Sequence, residues 1–232
     1  MLAVPMTVTK PTPPPRGGAT RNELKRAARR LFAERGIAAV GMREVVEAAG
    51  QRNAAAVHYY FGSKDDLLRE LLIDGADLID AGRRALFDAA EQAGVPALRA
   101  VVRANVMPCI DLAGDTGERE TYFRFIVNVQ NERRALFRAT VPEHSPGYAR
   151  YIAHVHRLLS PLPGATINQR ILFAGLSLQT LLAAREAALD RSDTGDHHFW
   201  SRPEALEGMI EAVEAILTSP GPASPAAASA IG

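Results

Sequence analysis

The chain has 232 residues, of which 47% are hydrophobic and 23% charged, and its 27 Lys and Arg nearly balance 26 Asp and Glu for a formal net charge of +1. Near-neutrality excludes attraction of the whole chain to nucleic acid as a polycation, and a single cysteine, Cys109, excludes a disulfide framework or a cysteine-rich zinc module. No run of about 18 uninterrupted apolar residues marks a membrane-spanning helix, and the first residues lack the charged start and apolar stretch of a secretion signal. The expectation is a soluble cytoplasmic protein with no membrane partner.

The charge is unevenly spread. Residues 1–19 carry +2, residues 20–66 carry nine basic against six acidic groups for +3, and residues 67–232 carry sixteen against twenty for −4. A basic N-terminal fifth before a mildly acidic body reads as a small anion-binding module joined to a larger domain with another task.

Taken in chain order, residues 1–19 read as a disordered tail, because residues 11–18 hold four prolines and two glycines. A first helix is predicted from a Thr20 cap, with Glu23 completing a capping box, through Leu24, Ala27, Ala28, Leu31 and Phe32 to a stop at Gly36. Val45, Val46 and Ala49 predict a short amphipathic helix ended by Gly50. A tight turn over residues 50–53 then leads to a second short helix over 54–59. Two short helices joined by a glycine-containing turn form a helix-turn-helix, whose second helix fits the DNA major groove. A long helix starts from a Ser63 cap, with Asp65 and Asp66 in its first turn and an apolar stripe of Leu67, Leu68, Leu71, Leu72, Ala76 and Ile79. Further helices are predicted over 96–112, 119–129, 131–139, 146–159, 165–190 and 203–217. No segment alternates like a strand, so the fold class is all-α: a three-helix DNA-binding domain over 20–66, a larger helical effector-binding and dimerisation domain over 67–218, and a disordered tail over 219–232.

The stretch from Met42 to Lys64 resembles the DNA-binding domain of the TetR family of transcriptional regulators. The resemblance rests on Ala49-Gly50, on Val57-His58-Tyr59-Tyr60-Phe61-Gly62-Ser63-Lys64, and on Leu31-Phe32-Ala33-Glu34-Arg35-Gly36 at the end of the first helix. It covers about residues 20–72. Three features depart from the pattern. Gly41 replaces the usual Ser or Thr cap, the connection Gln51-Arg52-Asn53 is one residue longer than the common version, and His58 stands where a tyrosine is common. The resemblance implies that Lys64, at the positive end of the long helix, meets a backbone phosphate, with Tyr59 and Arg43 doing likewise. Arg52, Asn53 and Ala55 are the candidates for base edges, since Arg suits guanine and Asn suits adenine. Gln51 and His58 complete the polar cluster, while Phe61 is expected to be a core wedge.

One helix-turn-helix reads few base pairs, so a homodimer on a palindromic operator is expected. Two apolar stripes offer its interface: Ile171, Leu172, Gly175, Leu178 and Leu182, and Leu206, Met209, Ile210, Val213 and Leu217. Helical periodicity alone does not separate such an interface from a monomer core. The middle helices are expected to hold an apolar pocket for a small hydrophobic effector, with Asn105, Met107, Cys109, Tyr122, Phe125, Asn128, Phe173 and Ser177 as its candidates, joined by Ile126 and Gln179 and opened by a kink at Pro108. No cofactor or metal site is expected: His154 and His156 diverge around a helix, and Cys109 lacks a catalytic partner pattern. The expectation is therefore a ligand-responsive DNA-binding regulator, by the family's habit a repressor, and not an enzyme. An architectural DNA-binding protein without an effector shares the same sequence features.

Overall fold

The computed structural model describes residues 16–51, 56–110, 112, 121–192 and 196–220. Among them every regular element is helical: α1 (Arg16–Arg35), α2 (Met42–Ala48), α3 (Ala56–Phe61), α4 (Lys64–Gln92), α5 (Leu98–Ile110), α6 (Tyr122–Glu132), α7 (Arg134–Thr140), a single 3-10 turn (Pro142–His144), α8 (Pro146–Leu158), α9 (Gly164–Asp190) and α10 (Pro203–Thr218).

Two boundaries near the N-terminus differ from the sequence reading, and α6 and α7 each start three residues later than expected. Helix α1 begins at Arg16, which places Thr20 inside the helix instead of at its cap and takes residues 16–19 out of the expected tail. Contacts far along the chain hold this first part of the helix: Arg21 pairs with Glu70 at 2.5 Å, and Lys25 Nζ lies 3.1 Å from Glu70 and 2.8 Å from Asp74, all on α4. Helix α3 runs two residues past Tyr59, because Phe61 must enter the core and the chain reverses only at Gly62, where φ is +78°.

The start of α4 follows the sequence closely. Ser63 Oγ accepts from the Asp66 N–H at 3.1 Å, and Asp65 and Asp66 sit in the first turn. The whole expected stripe from Leu67 to Ile79 is buried. Helix α4 packs on α1 and α3 at its start and on α5, α7 and α8 further along, and so ties the N-terminal helices to the later ones. One continuous apolar core results, running from Leu24, Phe32, Val45, Val57 and Phe61 through Leu67 and Leu72 to Val101, Val129, Tyr151 and Leu182.

Pro108 falls in the last turn of α5, so little helix remains beyond it to be bent. Its ring instead packs against α4 at Gly82, where an added Cβ would lie 2.8 Å from Pro108 Cβ. Helix α9 is long and apolar enough, by length and composition, to cross a bilayer. Two polar groups nonetheless sit in its buried face. Arg170 donates to the Leu217 carbonyl at 2.9 Å and to that of Ser219, answering the negative end of α10. Glu186 reaches α6.

The two stripes expected to form a subunit interface are largely spent within the protomer. Ile171, Leu178, Leu182, Met209, Ile210, Val213 and Leu217 are all buried where α9 and α10 pack on each other and on α5 and α6. Gly175 and Leu206 are half-buried, and of the expected set only Leu172 is exposed. Next to it on α9 stand Phe173 and Leu176, each half accessible to solvent.

Candidate nucleic-acid interface and adjoining cavity

The helix-turn-helix is held from below by Val45, Val46, Val57 and Phe61, all buried. Gly50, at φ +66°, turns the chain out of α2, and the Gln51 N–H closes the turn on the Val46 carbonyl at 3.0 Å. The weak Gly41 cap is offset by a single side chain. Glu44 accepts the Gly41 N–H at 2.7 Å and pairs with Arg35 at 2.7 Å, and these contacts, the backbone one foremost, hold its carboxyl below the ordinary range.

The expected DNA contacts separate into three groups. Arg43 is exposed in the first turn of α2 and makes no ion pair among the described residues. Tyr59 is 82% exposed, and His58 is exposed beside it. His58 Nδ1 lies 2.5 Å from the Gly62 carbonyl, an oxygen that only accepts, so Nδ1 carries the proton. All three side chains are open to solvent. Gln51 and Lys64 do not join them. Gln51 Nε2 donates to Glu23 at 2.9 Å and ties the turn to α1. Lys64 turns inward: Nζ donates to the Val40 carbonyl at 2.7 Å and to that of Ile37, and lies 5.4 Å from the Phe32 ring centre. Burial lowers its pKa. Lys64, expected at a phosphate, instead clamps the loop between α1 and α2 through two of its carbonyls. Arg52, Asn53 and Ala55 lie outside the described residues.

Most of the N-terminal positive charge is likewise committed internally. Arg21 and Lys25 bind α4, Arg30 pairs with Glu34 at 2.8 Å, and Arg35 with Glu44. Glu70 and Asp74 lie outside the segment, so its +3 overstates the net charge that α1 presents outward.

Helix α6 joins this domain to the rest. Glu132 at its C-terminal end accepts two backbone N–H groups beyond α1, from Ile37 at 2.8 Å and Ala38 at 2.6 Å. Gly36 permits the approach, for a Cβ there would lie 2.8 Å from Glu132 Oε1. Asn128 donates to the Phe32 carbonyl at 2.8 Å, satisfying the end of α1, and Phe125 stacks on Phe32 with ring centres 6.3 Å apart. At the other end of α6, Glu186 of α9 accepts the N–H groups of Phe123 at 2.8 Å and Arg124 at 2.9 Å. Burial pushes the Glu186 carboxyl up to about 7 despite those two bonds.

Behind α6 lies a cavity of about 460 Å³, a volume suited to a small organic molecule. Of the residues expected there, Asn105, Cys109, Tyr122, Ile126 and Gln179 line it. The others serve elsewhere. Phe125 and Asn128 hold α1, Phe173 is half exposed on the far side of α9, and Met107 and Ser177, though half-buried, are not among the lining residues. Neighbours on a helix three or four residues apart share a face, and one-residue differences in phase decide which cavity a side chain meets. The sequence reading missed Arg83, Phe137, Tyr148 and Ile152. A signal for Arg83 exists: it continues the Ala76, Ile79, Phe87 stripe at helical spacing, so a cation was due on the buried face. Tyr122 crosses to α4, where its hydroxyl donates to the Leu72 carbonyl at 3.0 Å and its ring lies over Gly75, 2.1 Å from where a Cβ would stand.

Exposed polar side chains on a short helix-turn-helix, fused to an all-helical body with a cavity, define a DNA-binding transcriptional regulator. Residues 24–71 match the model for bacterial regulatory proteins of the tetR family, so the chain carries the DNA-binding domain of TetR-family regulators. No curated protein sequence matches it. Among solved structures, AmtR of Mycobacterium smegmatis is similar over 94% of this chain and 95% of its own, with a TM-score of 0.56 and 20% identity. PfmR of Thermus thermophilus, a TetR family transcriptional regulator, covers 84% of this chain and 96% of its own at a TM-score of 0.50 and 17% identity. At these identities the likeness concerns the fold.

Proposed function

We propose that this regulator is a repressor that binds a palindromic operator as a homodimer and releases it when a small, largely hydrophobic effector fills the cavity behind α6. The observation that carries this reading is the double duty of α6. Tyr122, Phe123 and Ile126 face the cavity, while Phe125, Asn128 and Glu132 hold the DNA-binding domain. A ligand that shifts α6 acts on both, and allostery needs such an element with different ligand affinity in its two positions. Arg43, His58 and Tyr59 contact the backbone, with Arg52, Asn53 and Ala55 reading bases. Leu172, Phe173 and Leu176 supply the exposed apolar patch for the second copy.

Genomic fragments selected by the purified protein give the operator, and fluorescence anisotropy on that operator gives its affinity. Protein that elutes as a dimer, protects a palindrome, and loses affinity with at least one cavity-sized lipophilic compound supports the proposal. Monomeric protein on an asymmetric site, or operator affinity indifferent to every cavity ligand found, refutes it.

A further inference from the structure

The cavity is apolar along most of its wall, yet it contains a permanent cation and two unused acceptors. Arg83 of α4 lines it, and no carboxylate pairs with this guanidinium among the described residues. Its contacts are neutral and long: Nε to the Asn105 carbonyl at 3.4 Å, a terminal nitrogen to Cys109 Sγ at 3.4 Å, and the Tyr148 ring centre 5.3 Å away. Asp80, one turn earlier, is committed elsewhere, accepting the Gly147 N–H at 2.6 Å and pairing with Arg84 at 3.1 Å. Beside Arg83, Asn105 is 3% exposed and its Oδ1 has no hydrogen-bond partner, and Gln179 Oε1 on the opposite wall is also buried and unpartnered.

An arginine stays charged at any pH a cell reaches, and a charge partly withdrawn from water into an apolar wall favours a counterion. Unpaired buried acceptors need donors. Ile79, Phe123, Ile126, Phe137, Ile152 and Leu178 supply an otherwise apolar lining. From this arrangement, and resting on the reading of the cavity as an effector site, we infer that the effector is an amphipathic monocarboxylic acid: an apolar body whose carboxylate pairs with Arg83, with a hydroxyl or N–H donor near Asn105. A single guanidinium matches one negative charge, which favours a carboxylate over the dianion of a phosphate monoester. The planar fork of arginine fits a carboxylate through two parallel bonds.

Isothermal titration calorimetry of the full chain near pH 7.5, where carboxylic acids are ionised, tests this with matched probes: octanoate, 1-octanol and octylamine, then 2-naphthoate and 2-naphthol, then 3-hydroxyoctanoate. At least one acid binds tenfold or more tightly than its alcohol, the amine binds worst, and the hydroxy acid exceeds octanoate. Arg83→Gln lowers the acid's affinity at least tenfold and leaves the alcohol within about threefold, a discrimination typical of one charge-assisted pair. Arg83→Lys, which keeps the charge should the glutamine variant misfold, retains the preference for acid over alcohol. Alcohols binding as well as acids in the wild type overturn the inference and leave the effector reading intact. Failure of every probe, acid and neutral alike, on folded protein that binds its operator counts against the effector cavity itself.

Discussion

Replacing Glu132 by Ala removes the two hydrogen bonds that fasten α6 to the chain beyond α1. The two N–H groups it serves differ in what happens next. Ile37 is completely buried, so its N–H finds no water and the loss costs about 1–3 kcal/mol. Ala38 is exposed and its N–H turns to solvent at little cost. The sum is about 2 kcal/mol, which for a chain of this size lowers the melting temperature by about 4–8 °C. Thermal unfolding by circular dichroism measures the total, and amide hydrogen exchange locates it: the Ile37 amide loses protection in the variant while amides of α9 keep theirs relative to global unfolding. A melting temperature within about 1 °C of wild type, with Ile37 protection unchanged, would show that the clamp holds nothing and would remove the link on which the coupling rests.

Three further outcomes follow from the same structure. Lys64→Met leaves the Ile37 and Val40 carbonyls without a charged donor, so it lowers stability by about 1–3 kcal/mol in urea unfolding while leaving the salt dependence of operator binding unchanged; a fall in that slope of about one unit with unaltered stability would return Lys64 to the phosphate contacts. Arg43→Ala, by contrast, keeps stability and lowers the salt slope by about one unit per protomer, and an unaltered slope takes Arg43 off the interface. Glu186 holds its proton up to about pH 7 when folded, against 4.5 for an ordinary glutamate, so the native state binds more protons between these values and stability falls as pH rises through them. The penalty, about 3 kcal/mol, is complete above pH 7 and absent below about 4.5. Unfolding curves for wild type and Glu186→Gln should diverge accordingly across that window, and a constant difference between them from pH 4.5 to 7.5 would refute it.

The all-helical class, the helix-turn-helix and the Ser63 start of α4 were legible because each depends on contacts within a few residues. Periodicity placed Leu67, Leu68, Leu71 and Leu72 on one face, and that face is buried. The same method was blind to which partner a face meets. Met209 and Val213 have the spacing of an interface and the burial of a core, while Leu172, Phe173 and Leu176 are apolar residues of α9 left exposed. Lys64 and Gln51 carry polar groups in a polar stretch, but a lysine's four-carbon arm reaches inward as easily as outward, and two carbonyls of the α1–α2 loop decided the matter.

The sequence by itself therefore determined the helices, the reading head and its basic bias, because caps, turns and hydrophobic periods are local. Only the tertiary structure decided how the charge is used. It paired Arg21 and Lys25 with α4, it turned Lys64 onto backbone carbonyls, and it left Arg83 with no acid among the described residues inside an apolar cavity. Those outcomes depend on groups 20 to 50 residues apart meeting at about 3 Å, a distance that no spacing along the chain encodes.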